Sequence, residues 1–163
     1  CVKLEGGANM APTIKRMTDV GIPVMGHIGM APQSATNFRG FKVQGGTPEG
    51  AAKLVEDAKA LEAAGVFSIV VECVPSGVAK AITEAVSVPI LGIGAGPYVD
   101  CQVLVTQDLL DMYGDFKPKF VKHFAHVRKA MVDGLNAFHQ ETLDGTFPTP
   151  EYSFNKVVEG YEV

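Results

Sequence analysis

Tryptophan is absent, cysteine occurs only three times, and basic residues do not outnumber acidic ones. Each shortage excludes something. Cys1, Cys73 and Cys101 are odd in number, share no CxxC spacing and have no histidine near them at ligand spacing. That pattern fits neither a disulfide framework nor a structural zinc site, and it suits a reducing compartment. Cys73, at the end of an apolar run, is expected to be a buried, inert thiol. Fourteen basic against 18 acidic side chains give a formal charge of −4 and a pI near 5.5. Nucleic-acid-binding domains carry a basic face, so no nucleic-acid partner is expected. No apolar run approaches the roughly 20 residues of a membrane-spanning helix, so no membrane partner is expected either. The opening CVKLEGG lacks the basic flank, apolar stretch and small-residue cleavage site of a secretory signal. A cytoplasmic protein is expected.

What is present is a chain of 163 residues, 47% hydrophobic and 20% charged, enough for one domain over residues 1–163 with a substantial core. Short apolar runs alternate with longer helical patterns. Val2 to Glu5 reads as a strand, about Met10 to Asp19 as a helix, and Pro23 to Ile28 as a second strand. Ala31 to Thr47 reads as a long polar loop. Thr47 is a natural N-cap with Pro48 in the first turn, and the helix it opens runs to Ala64 and stops at Gly65. Leu54, Ala58, Leu61 and Ala64 form its apolar face. Phe67 to Glu72 is a third strand, Gly77 to Ala85 a helix, and Pro89 to Ile93 a fourth strand. Gln102 to Thr106 is a fifth. From about Lys119 to Leu143 the pattern is helical, and Pro148 and Pro150 mark a tail.

Strand–helix–strand alternation implies parallel strands, and nearly all-apolar strands imply a covering helical layer. An open doubly wound sheet and a (β/α)8 barrel both fit that pattern. Lys3, Glu5, His27, Glu72 and the turn after Ile93 fall at the C-terminal ends of successive strands, which favours the barrel, where such ends converge on one mouth. A complete barrel takes about 250 residues and eight strands. Five strands therefore predict a partial barrel that lacks its N-terminal strands.

The same residues are the candidates for chemistry. Lys3 and Glu5 are two apart on a strand and so point to one side. A cation and an anion there suit a substrate carboxylate and a divalent metal, or else an ion pair on a solvated edge. His27, in VMGHIG, sits between glycines that allow close approach by a ligand, although a hydrogen-bonded core histidine is the plain alternative. Glu72 ends the buried run SIVVE. A desolvated carboxylate is an effective proton acceptor, and a buried structural ion pair is its alternative. His123 and His126 are three apart without a neighbouring carboxylate pattern, and with His139 they read as surface residues. GIGAG lacks the GxGxxG spacing and reads as a tight turn; Asp100 and Asp108 read as caps.

Several segments together resemble the ketopantoate hydroxymethyltransferase family: VKLEGG, IPVMGHIGMAPQS, GFKVQG, ALEAAG, VVECVP, VPILGIGAG, DCQVLV and PKFVK. They keep the family's order and spacing over nearly the whole chain. The resemblance implies a (β/α)8 barrel of the phosphoenolpyruvate/pyruvate superfamily, with this chain covering roughly strands four to eight and the C-terminal helices, assembled as a decamer. It implies transfer of a hydroxymethyl group from methylenetetrahydrofolate to 3-methyl-2-oxobutanoate through a Mg2+-stabilised enolate, for pantothenate synthesis. Carried over by motif, Lys3 and His27 contact the 2-oxo acid, Glu5 belongs to the Mg2+ site and Glu72 is the base. Two further aspartates that the family places around the metal come from strands that this sequence does not contain. Cys101 stands where the family's DGQ motif has glycine. Three other readings compete. One is a metal-dependent carbon–carbon lyase of the same superfamily, which predicts no folate dependence. Another is a non-catalytic barrel fragment serving as an assembly subunit, and the third is a nucleotide-binding open sheet.

Overall fold

Five parallel strands form where branched apolar residues concentrate: β1 (Val2–Glu5), β2 (Val24–Gly29), β3 (Ser68–Glu72), β4 (Ile90–Ile93) and β5 (Cys101–Gln102). The computed structural model describes residues 1–33, 42–114 and 117–161. Residues 34–41 of the loop expected over Ala31 to Thr47 therefore lie outside the described residues. Helices make the first three crossovers: α1 (Ala11–Asp19), α2 (Pro48–Ala63) and α3 (Ser76–Ala85).

The strands lie side by side in chain order, and every pairing is parallel. A doubly wound sheet reverses its order at a switch point and carries helices on both faces. Here the order never reverses. Right-handed crossovers repeated in one direction put every helix on the same side. The core shows which side: Val24, Ile28, Ile69, Val71 and Ile90 pack with Ile14 of α1, Leu54, Ala58 and Leu61 of α2, and Ala79 and Ile82 of α3. Each large aliphatic side chain removed from water there contributes about 1.5–3 kcal/mol. Because successive strand residues face opposite ways, the other face carries Lys3, Glu5, Met25, His27, Ser68, Val70, Glu72, Leu91 and Ile93.

Local chemistry sets the helix ends. Thr47 Oγ1 accepts the Gly50 N–H at 3.1 Å, with Pro48 opening α2. At the far end Thr18 of α1 donates its hydroxyl to the Ala64 carbonyl at 2.7 Å, which satisfies a helix-end acceptor and ties the two helices together.

Two expectations need correction. The fifth strand spans Cys101–Gln102, not Gln102 to Thr106. It pairs only with Leu91 and Gly92 of β4, and the chain turns into α4 (Thr106–Leu109) soon after. The C-terminal helix begins at Arg128, not Lys119: α5 is Arg128–Leu143. The residues before it use their backbone elsewhere, with Phe124 N–H donating to the Leu109 carbonyl at 2.8 Å and Val127 N–H to that of Leu110 at 3.1 Å.

The chain divides into two compact units, Cys1–Val105 with Lys119–Val121, and Thr106–Pro118 with Lys122–Val163. The first holds the sheet, α1 to α3 and all the buried side chains; none of the described residues of the second is buried. No helix is long and apolar enough to cross a membrane, among the described residues.

Candidate active site

The polar face concentrates its charge at the C-terminal ends of the strands. Register puts Glu5 of β1 beside His27 of β2, and Gly29, two residues on, beside Glu72 of β3. His27 thus lies between two carboxylates. Its Nδ1 is 3.7 Å from Glu5 Oε1, and its Nε2 is 3.1 Å from Glu72 Oε2. The ring is 1% exposed. Neither nitrogen completes a hydrogen bond among the described residues, because the Glu72 contact has the distance but not the alignment. Buried nitrogens without partners are costly, and in native proteins they mark places where a water or ligand belongs.

Backbone geometry holds this trio. Gly6 N–H donates to the His27 carbonyl and Met30 N–H to that of Glu72, at 3.0 and 2.8 Å. Gly29 has φ +91°, and a Cβ there would lie 2.2 Å from the Glu72 carbonyl oxygen, so only glycine lets β2 pass so close to the end of β3. Glu5 Oε2 accepts the Gln33 N–H at 3.0 Å, leaving Oε1 on the His27 side. Directly after Glu72, Cys73 adopts φ +51°. Burial, and then the adjacent Glu72 charge, push its thiol up from the usual range. The thiol is half-buried, not fully enclosed as expected, because the strand ends there and the chain turns.

Lys3 shares the polar face with Glu5 but sits two residues lower on the edge strand. It is exposed and has no ion-pair partner among the described residues. The trio is brought together; Lys3 stands apart from it.

A cavity of about 630 Å³ opens beside Glu5 and His27 and is also lined by Gly7, Gln44, Lys53 and Asp57, but by neither Lys3 nor Glu72. Sequence reasoning missed Asp57. It is 5% exposed on the otherwise apolar side of α2, where it accepts the Ala8 N–H at 2.8 Å and pairs with Lys53. A Cβ on Gly7 would lie 2.1 Å from its carboxyl carbon. The Lys53–Asp57 spacing of four was the available signal. Ser68 was missed as well: its buried hydroxyl, on the polar face, has no partner among the described residues. Asp100 proves to be a cap, accepting the Ile90 N–H at 2.8 Å where β4 starts. The GIGAG segment is a tight turn, with Gly94 and Gly96 at positive φ.

The singly wound sheet and the carboxylate–imidazole–carboxylate set at its strand ends define a parallel α/β protein with a cluster of ionisable side chains on the polar face of its sheet. The chain belongs to the ketopantoate hydroxymethyltransferase family, which residues 1–150 match. It is 58% identical over 153 residues to the 3-methyl-2-oxobutanoate hydroxymethyltransferase of Heliobacterium modesticaldum, covering 94% of this chain and 55% of that protein. The enzyme of the same name from Clostridium botulinum strain Langeland is 52% identical, with 94% and 56% covered. That of Syntrophomonas wolfei is 54% identical, with 94% and 55% covered. The chain thus spans about half the length of the curated relatives it matches.

Proposed function

We propose that this chain supplies roughly strands four to eight and the C-terminal helices of a (β/α)8 barrel, and that the barrel forms ketopantoate from 3-methyl-2-oxobutanoate and methylenetetrahydrofolate. The observation that carries this reading is Glu72 Oε2 at 3.1 Å from the buried His27 Nε2, with Glu5 on the other side of the ring. Active sites of barrels lie at these strand ends.

The family implies Mg2+, and the residues here fit it in kind. Mg2+ takes one or two carboxylates and completes its shell with water and substrate oxygens. Glu5 would hold it through the oxygen not already engaged by Gln33. When bound, the ion would supply Lewis-acid polarisation of the 2-oxo group. Glu5 and Glu72 lie on opposite sides of His27, so the two carboxylates divide the work. Glu72 removes the proton from the carbon next to the keto group. His27 donates to substrate oxygen, satisfying a ring nitrogen that otherwise lacks a partner, and keeps Glu72 oriented. Lys3, the free cation on the same face among the described residues, binds the substrate carboxylate. The carbanion then forms a bond to the folate methylene carbon. Both carbon–nitrogen bonds that hold this carbon to the folate break, one replaced by the new carbon–carbon bond and the other by a hydroxyl from water. The proton taken by Glu72 and the remaining proton of that water pass to the two folate nitrogens, leaving tetrahydrofolate.

We further read the protein as cytoplasmic and homo-oligomeric, a decamer by resemblance, with small-molecule rather than nucleic-acid or membrane partners. The deciding assay incubates the chain with 3-methyl-2-oxobutanoate, Mg2+ and methylenetetrahydrofolate and follows ketopantoate. Folate-dependent product is expected. Cleavage or condensation independent of folate would favour the lyase reading, and no turnover would favour the non-catalytic fragment.

A further inference from the structure

The second unit gathers a set of donors that sequence spacing did not reveal. His123 and His126 had no carboxylate neighbour in the sequence, yet the fold brings Asp111 to both. Asp111 Oδ1 is 3.5 Å from His123 Nδ1, and Oδ2 is 2.5 Å from His126 Nδ1. One donor atom from each of the three residues lies within 4.8 Å of the others. The backbone hydrogen bonds from Phe124 to Leu109 and from Val127 to Leu110 hold the two strips of chain side by side.

We propose that Asp111, His123 and His126 form a binding site for a divalent transition-metal ion of the zinc type, distinct from the strand-end site. Two imidazoles and one carboxylate suit such ions and not Mg2+ or Ca2+, which prefer oxygen donors throughout. Tetrahedral zinc with bonds of about 2.0–2.2 Å sets its ligand atoms about 3.3–3.6 Å apart. The His126–Asp111 contact must open by about 1 Å, and a separation at the 4.8 Å limit would have to close by a little more. His126 is three-quarters exposed and free to make that adjustment.

Hydrogen bonding accounts for only part of this arrangement. The His126 ring reaches Asp111 at hydrogen-bond distance, and that contact, with the charges of His123, His126 and Arg128, holds the Asp111 carboxyl below its usual range. His123 is turned to the same carboxylate at 3.5 Å, beyond a normal N–H···O bond. Arg128 opposes a cation; Lys129 is already paired with Asp133. A bound ion would join the chain after α4 to the chain before α5, in a unit whose described residues include no buried side chain. Metal ligation is one of the ways in which small units without a core are stabilised.

The test is a calorimetric titration of the 163-residue chain with Zn2+ and, separately, Mg2+, together with thermal melts in each ion. One Zn2+ site is expected that Mg2+ does not occupy. It should weaken by at least about tenfold in His123→Gln and in His126→Gln, since loss of even an outer-shell partner costs that much. It should persist in Glu72→Gln. Zn2+ should raise the melting temperature of the parent chain and not that of the histidine variants, a comparison unaffected by any change in their basal stability. Zn2+ binding that survives both histidine substitutions, is lost in Glu72→Gln, or is absent altogether overturns the proposal.

Discussion

The two faces of one sheet are built to opposite rules. Val24, Ile69, Val71 and Ile90 point to the helices and are wholly buried. Lys3, Glu5, His27 and Glu72 point the other way, and they include a buried ring whose nitrogens have no hydrogen-bond partner among the described residues. The helical face gains stability from apolar burial. The opposite face gives some of it up, since unpartnered buried polar groups cost about 1–3 kcal/mol each. Stability and chemistry are therefore separable by substitution, one face at a time.

The largest effect should come where the faces meet. Gly29→Ala forces a Cβ to 2.2 Å from the Glu72 carbonyl at φ +91°. Backbone strain and overpacking at about 1–3 kcal/mol each predict a loss of roughly 3–5 kcal/mol in urea unfolding. A milder loss would mean that β2 and β3 can separate, and that Glu72 is less firmly held than its geometry suggests. On the helical face, Ile69→Ala should cost about 2–5 kcal/mol. Any substrate binding should be unchanged once the chain is folded. Glu72→Gln should do the reverse, leaving stability within about 1 kcal/mol. Equal stability losses from both would break the distinction between the faces.

The smallest predicted effect is the most local. Cys1 and Cys101 are exposed and Cys73 is half-buried beside Glu72. Thiol labelling at neutral pH should therefore be slowest at Cys73, and Glu72→Gln should speed it by removing the adjacent charge. The sign for stability follows. A thiol raised in the folded state contributes below the unfolded thiol value, and that contribution fades as pH rises through the folded value. Labelling of Cys73 as fast as that of Cys101 would mean that its strand end is more open than described.

Much of this was legible in the sequence because it rests on local chemistry. Thr47-Pro48 opened α2 where expected, and the apolar runs became strands to within about two residues, the fifth excepted. Glu5 and His27 ended neighbouring strands, so their approach followed from the topology. Competition with distant partners was not legible. Only pairing with β4 decides that the fifth strand ends after Gln102. Hydrogen bonds to Leu109 and Leu110 draw Phe124 and Val127 out of the expected helix. The Asp111 cluster is invisible for the same reason, since its carboxylate lies 12 and 15 positions from the histidines. Lys3 and Glu5 were read as a pair from their spacing, and the structure keeps them on one face without joining them.

The central claim is that the polar face of the sheet performs proton abstraction through Glu72. The most direct measurement follows exchange of the C3 proton of 3-methyl-2-oxobutanoate with deuterated water by NMR, with Mg2+ and without folate. We expect Mg2+-dependent exchange that falls by about 10²–10⁴-fold in Glu72→Gln, the usual contribution of a positioned base. Exchange at the same rate in the variant, or none in the parent chain, would contradict it.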